Sequence, residues 1–421
     1  MLRRIVLFLV LAISAGVIAQ APDEETVLPV FQDKDSYLPA VAFGEGNFLV
    51  VWQAGRLAPG DLRSNLKDLL QSDLVAMRVT PSGTVLDSRP ILANDALGLQ
   101  SQPQLAFGNG VFLLVWQDFR NGRDWDIYAS RIDREGRVLD QQGIAVCTET
   151  GAQAFPRLAW DGNDFVIVWQ DFRMGKYYEI YASRVSATGE VKDPGGKKLY
   201  SGVAQDRHLY LPAIADAGNG RSLIIWMVMT WAGAAGSSPS AQLSFFENGA
   251  VVSTIDIPYD SNNGPGRQAL PAVLVHGGGT YLVAWRTDAP AGRGDAANGS
   301  NAFLADGQGN IIKRFFVDGT EKRIQQPEAC WDGSQYVVAW QQTVYADVAS
   351  RVKPYLVVQA SRISPSGDIL AVENLSGSLE SPAAEPAVAS DGAGTSLIAY
   401  EKHPASASDP IAIAFRIWKR Q

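Results

Sequence analysis

Cysteine is almost missing from this chain: Cys147 and Cys330 are the two in 421 residues. They fall in different parts of different repeat units, so no disulfide framework is expected and packing must hold the fold together. Histidine is nearly as scarce. His208, His276 and His403 lie far apart, and none has a second His or Cys at metal-ligand spacing, which excludes a histidine-built zinc site. Charged residues make up only 19% of the chain, and beyond Arg3 and Arg4 the basic ones form no cluster, so nucleic acid is excluded as a partner. There is no G-x-x-x-x-G-K phosphate loop and no G-x-S-x-G nucleophile elbow. After the first twenty or so residues no apolar run is long enough for a membrane-spanning helix, which needs about 20 residues.

What is present begins with that N-terminal stretch. Arg3 and Arg4 precede an apolar run from Ile5 to Ala15, followed by small residues ending at Ala19. This reads as a secretory signal peptide over residues 1–19, leaving one domain over 20–421 and predicting a periplasmic or extracellular protein. Its removal takes the formal charge from −8 to −10.

The mature sequence is organised by a repeat. A proline opens an apolar strand and an aromatic residue closes the next one: Pro39/Trp52, Pro103/Trp116, Pro156/Trp169, Pro212/Trp226, Pro271/Trp285, Pro327/Trp340 and Pro386/Tyr400. The spacing within each pair is 13 or 14 residues, and successive prolines are 53 to 64 apart. In the third copy, Leu158–Trp160 is followed by a turn at Asp161-Gly162-Asn163 and by Phe165–Trp169, apolar at consecutive positions. Such a run implies cover on both faces. A variable connection leads to a mixed third strand, Ile180–Val185, and a turn at Gly189 to a short fourth one at Glu190-Val191. Four antiparallel strands per unit, repeated seven times, predict a seven-bladed β-propeller. The seventh copy stops after its third strand, whereas Val27-Leu28 is a spare strand ahead of the first. Pairing the two closes the ring and removes its loose edges.

The connection between second and third strands varies most, from 13 to 24 residues between anchor and third-strand position. It emerges on the same rim as the inter-blade loops, so one face carries variation and the other is a constant frame. His276 is expected in a tight turn on the constant face. The variable face holds two distinctive loops, with Asp118, Phe119, Arg120 and Trp125 in one and Asp171, Phe172, Arg173 and Tyr177 in the other. A charged fork beside an aromatic ring suits a sugar or a carboxylate. Recurrence favours a structural role instead, with Asp118 and Asp171 paired to Arg131 and Arg184 on the third strands. Candidates for contact therefore shift to places where the repeat fails: Trp231 in the Met227–Ala235 connection, the Gln53–Asp73 insertion with a short helix at Leu66–Leu70, and Thr343–Lys353. Glycosidase chemistry would need facing carboxylates, for which Glu179, Asp288, Glu328 and Glu401 are available. Asp260–Gly264 and Asp306–Asn310 are oxygen-rich turns but lack the closing Glu of a calcium loop, so no cofactor is expected.

The recurring W-Q-D-F-R and I-Y-A-S-R patterns, as at Trp169–Arg173 and Ile180–Arg184, resemble the repeats of secreted bacterial β-propeller proteins, distantly sialidase-like. The S-x-D-x-G-x-x-W box of sialidase repeats is absent, since the corresponding turns read Asp133-Arg134-Glu135-Gly136 and Ala187-Thr188-Gly189. The resemblance implies the propeller fold and transfers no catalytic residue. The expected function is a non-catalytic, monomeric propeller that binds a protein or carbohydrate through its variable-loop face. The alternative is a glycan-active enzyme, hydrolase or lyase, with its site over the central channel on that face.

Overall fold

The proline that opens each unit sits at a β-bulge. In a computed structural model, which describes residues 24–55, 71–200, 207–218, 220–231, 237–257, 269–287, 301–319, 324–344, 354–406 and 408–420, the residue before that proline is left-handed in six blades. Leu38, Gln102, Phe155, Leu211, Gln326 and Glu385 have φ between 46° and 55°, and the pairing register slips at each. Proline normally holds its predecessor extended, and a left-handed non-glycine residue costs on the order of 1–3 kcal/mol. A hydrogen bond from the preceding blade offsets part of that cost. The N–H of Phe155 donates to Oε1 of Gln117 at 3.0 Å, that of Leu211 to Gln170 at 3.2 Å, and that of Glu385 to Gln341 at 3.1 Å. Each acceptor is the residue after the blade's aromatic anchor.

The described strands form seven antiparallel sheets of four strands each. The first strand of every blade touches the first strands of its two neighbours, so the ring is closed around a channel. Second strands carry consecutive apolar residues because each is sandwiched between adjacent blades. Trp52, Trp116, Trp169, Trp226, Trp340 and Tyr400 are fully buried. The core is therefore a series of seams: Leu113, Val115 and Ile127 of blade 2, for example, pack against Phe165, Ile167 and Trp169 of blade 3. On the constant face the blades approach so closely that a Cβ on Gly108 would lie 2.1 Å from the ring of Trp160 in the next blade.

Closure follows the expected scheme. Thr26–Val27 pairs antiparallel with the last strand, Ala412–Lys419, with Thr26 opposite Phe415. The N–H of Leu28 adds a bond to the Ile413 carbonyl at 2.8 Å. Ahead of it, the Glu25 carboxylate accepts hydrogen bonds from Ser376, Tyr400 and Lys402.

Several local expectations are corrected. The fourth strand of blade 3 is Lys197–Lys198 rather than Glu190-Val191. The hairpin after Val185 closes tightly, Val191 makes a single bridge back to Val185, and pairing resumes only after the Asp193–Gly196 turn. Met227–Trp231 continues the second strand of blade 4 instead of forming a connection, and Trp231 pairs with Ser237 across a long hairpin. In blades 4 and 7 the residues matching Ala182 are Leu243 and Phe415, one later than the spacing suggests. His276 ends a strand, half-buried, with its ring 4.7 Å from that of Tyr281. Cys147 and Cys330 lie in different blades, and neither is bonded to the other.

Candidate active site

Two of the predicted loops are fully engaged within their own blades. Asp118 accepts the Trp116 indole N–H at 2.7 Å and the Arg120 backbone N–H at 2.8 Å, and Arg120 Nε and Nη2 close on it at 2.8 and 2.7 Å. The guanidinium lies over the Tyr128 ring, 3.9 Å from its centre. Asp171 repeats this with Trp169, Arg173 and Tyr181. Both carboxylates have no exposed side-chain surface. The partner is thus the arginine two residues on, not the expected Arg131 or Arg184. Register explains the correction. Asp118 faces Asp126 and Leu113 faces Arg131, so Arg131 stands five positions along the strand from Asp118, about 17 Å away at 3.4 Å per residue. Arg131 pairs instead with Asp140 at 2.8 Å, and Arg184 with Asp193 at 2.7 Å.

The remaining predicted residues are spread along the variable face. Phe119 packs on Trp125 with ring centres 5.2 Å apart, and Phe172 on Tyr178 at 4.7 Å. Tyr177 meets His208 at 5.2 Å. Most of the Gln53–Asp73 insertion, most of Thr343–Lys353, Asp288 and the 260–264 turn lie outside the described residues, as do the side chain of Trp231 and the whole 1–19 segment. Asp306 is turned inward on its own turn, accepting from Gln308 and Asn310. Among the described residues no three His, Cys, Asp or Glu side chains are grouped to hold a metal. Glu179, on the outer part of blade 3, forms an ion pair with Lys198.

Chemistry gathers where the first strands begin, at the mouth of the channel on the variable face. The channel itself has a cavity volume of about 160 Å³ and is lined by first-strand residues of all seven blades. Arg157 of blade 3 reaches across it to Glu328 of blade 6, with Nη2 3.8 Å from Oε1. Both occupy the position just after the repeat proline, where the other copies carry Ala or Gln. Burial raises the Glu328 carboxyl above the usual range, and Arg157 works against that shift. Its side chain is nevertheless 30% exposed to the channel, so it is deep but reachable.

Beside it stands Glu385, the left-handed bulge residue of blade 7. Gln326, the bulge residue of blade 6, donates from Nε2 to the Glu385 carboxylate at 3.2 and 3.4 Å. Burial first, then the charge of Glu401 and more weakly that of Glu328, push the Glu385 carboxyl up to about 7, with Gln326 and Arg286 opposing. Glu401 lies beneath, 5% exposed, its Oε2 3.4 Å from Nε2 of His403. Tyr37 closes this side from blade 1. Its hydroxyl donates to Asp35 at 3.2 Å, and burial together with Asp35 raises its pKa.

No family model and no curated protein matches the chain. Solved structures do match in fold. A polysaccharide lyase of family PL25, an ulvan lyase, superposes with a TM-score of 0.56 at 10% identity, covering 94% of this chain and 96% of that one. A protein of unknown function from Dyadobacter fermentans gives 0.50 at 13% identity, over 95% and 99%. An α-L-arabinanase from Penicillium chrysogenum, complexed with arabinobiose, gives 0.48 at 12%, over 92% and 95%. At these identities the likeness is one of fold.

Of the carboxylates named from sequence, the structure sets Glu328 and Glu401 each near Glu385 and leaves Glu179 apart. Glu385, Arg157, Gln326 and His403 were missed. A signal for them existed. Arg157 and Glu328 are charged where the other copies are neutral, and Glu401 replaces the Gln found at 53, 117, 170 and 341.

Proposed function

We propose that this protein is a glycan-active enzyme, a glycoside hydrolase, whose site is the variable-face mouth of the central channel. The observation that carries the reading is the carboxyl of Glu385 held up to about 7 beside two further carboxyls, Glu328 and Glu401. Glycoside hydrolysis needs one carboxyl protonated near neutral pH and another that takes up a proton or attacks. Glu385 gives its proton to the glycosidic oxygen as the C–O bond breaks. Glu328, its charge balanced by Arg157 across the channel, receives the proton of the attacking water. Glu401 does not touch the sugar; it is a positioning residue whose buried charge keeps Glu385 protonated. The channel is crossed by the Arg157–Glu328 pair, so the ligand lies over the mouth rather than passing through.

The alternative drawn from sequence is preferred to the non-catalytic reading because the mouth carries carboxyls grouped around Glu385. The ulvan lyase neighbour lends support only in that its fold hosts glycan chemistry. With the N-terminal segment acting as an export signal, the enzyme would meet its substrate outside the cytoplasm.

The test is release of new reducing ends from a panel of polysaccharides and oligosaccharides by the mature chain, with Glu385→Gln and Glu328→Gln alongside. Loss of a general acid is expected to cut turnover by roughly 10²–10⁴. Undiminished turnover in both variants, or none on any glycan, would sink the reading. An unsaturated product would replace hydrolysis with elimination.

A further inference from the structure

Across the channel from these carboxylates, blades 3 and 4 carry a run of aromatic rings that the chemistry above does not use. Phe172, Tyr177 and Tyr178 come from the variable loop of blade 3, and His208 and Tyr210 from the start of the innermost strand of blade 4. The rings touch in sequence. Phe172 meets Tyr178 at 4.7 Å, Tyr178 meets Tyr210 at 5.4 Å, Tyr210 meets His208 at 5.4 Å, and His208 meets Tyr177 at 5.2 Å. His208 and Tyr210 are parallel to within 2°. All five are half-buried, so each keeps an open portion.

A structural account covers only part of this ladder. The Phe172–Tyr178 pair has a counterpart in blade 2, Phe119–Trp125, and there it serves to pack the loop. Blade 2 has no extension, because the residues matching His208 and Tyr210 in the next blade are Ala152 and Ala154. The added rings are therefore not needed to hold this loop type. His208 also keeps Nδ1 enclosed without a hydrogen-bond partner, an arrangement that is costly unless something completes it. Burial lowers its pKa, which favours the neutral imidazole. Flat, uncharged faces with hydroxyl and imidazole tips match the alternating C–H faces and hydroxyls of a pyranose.

We propose that the Tyr177–Tyr178–His208–Tyr210 ladder is a sugar-binding subsite for a distal part of a polymeric glycan, whose scissile bond lies over Glu385 and Glu328. The inference rests on the hydrolase reading for its catalytic end and names the substrate class, a polysaccharide chain long enough to cross the mouth. Tyr210 lies two residues before the Pro212 bulge, so the ladder reaches the mouth opposite Glu385. A ligand touching both must reach across the mouth from blade 4 to blade 7, as a chain of sugar units does.

The experiment is affinity electrophoresis of the full chain in gels containing each polysaccharide of the panel, with KM measured on any polymer that is turned over. Glu385→Gln is expected to be retarded like the wild type. His208→Ala/Tyr210→Ala is expected to lose retardation and raise KM for the polymer about tenfold, the worth of two stacked rings. Tyr210→Phe, which keeps the ring, should retain retardation, and Tyr177→Ala at the loop end serves if the double variant does not fold. Retardation unchanged in both the double variant and Tyr177→Ala, or absent for the wild type in every gel, overturns the subsite. Turnover with ring-independent retardation would defeat the subsite and leave the hydrolase; ring-dependent retardation without turnover would do the reverse.

Discussion

The carboxylate of Glu401 accepts the backbone N–H of Leu38 at 2.9 Å, joining blade 7 to blade 1 where other blades use glutamine. Glutamine would make the same bond. What the carboxylate adds is charge, and that charge is, after burial, the next cause lifting Glu385 to about 7.

Glu401→Gln is therefore expected to keep the joint while lowering the Glu385 pKa. The high-pH limb of kcat/KM, which reports loss of the general acid in the free enzyme, should move to lower pH. Glu401→Ala removes the acceptor as well and is expected to cost about 1–3 kcal/mol in urea unfolding, the penalty of an unpartnered buried amide. An unmoved limb in Glu401→Gln would refute the coupling.

Stability should also follow the Glu385 proton. Its folded value of about 7 is above the ordinary 4.5, so the folded state binds the proton more tightly than the unfolded chain does. The contribution is fully present below about pH 4.5 and is lost as pH rises through about 7. Across that window the wild type should lose melting temperature relative to Glu385→Gln, which has no proton to release. Parallel curves for the two proteins would show that the Glu385 carboxyl is not raised above its ordinary value in the folded state.

Trp169→Ala is predicted to cost about 3–5 kcal/mol, as for other buried aromatic truncations. Trp169 is fully buried, and its indole is the 2.8 Å donor to Asp171, so the substitution also strips a partner from an enclosed carboxylate. A loss below about 1 kcal/mol by urea denaturation would contradict both its burial and the seam it fills.

Removing residues 24–34 should lower the melting temperature of the whole ring. The deletion takes away the strand paired with Ala412–Lys419, the buried Leu28, and Glu25 with its bonds to Ser376, Tyr400 and Lys402. Unchanged melting would mean that the ring does not depend on this closure.

The architecture was legible because its cause is periodic. Prolines and aromatic anchors at steady spacing, with second strands apolar at several consecutive positions, leave few folds other than a propeller. The spare Val27-Leu28 segment announced the closure in the same way. Backbone detail was less accessible: a residue before proline is expected to be extended, yet Leu38 and Glu385 are left-handed, a geometry that depends on acceptors one blade away. The pairing of Asp118 with Arg120 was missed for the opposite reason, since side-chain forks fold back over two residues as easily as they reach across strands. At the site, Glu328 and Glu401 were visible as acidic residues but not as neighbours. Only the ring places positions 157, 328, 385 and 401 around one opening.

The closure strand also sets a timetable. Thr26 and Phe415 stand 389 positions apart in the sequence (415 minus 26), yet they are partners in one ladder. Contacts of such sequence separation form slowly, because almost the entire chain must be ordered before they bring any gain. Until the last strand arrives, the early segment and the open edge it will cover are both unpaired, and unpaired edges recruit other chains. The seam that closes the ring is thus an exposure while the chain is being made.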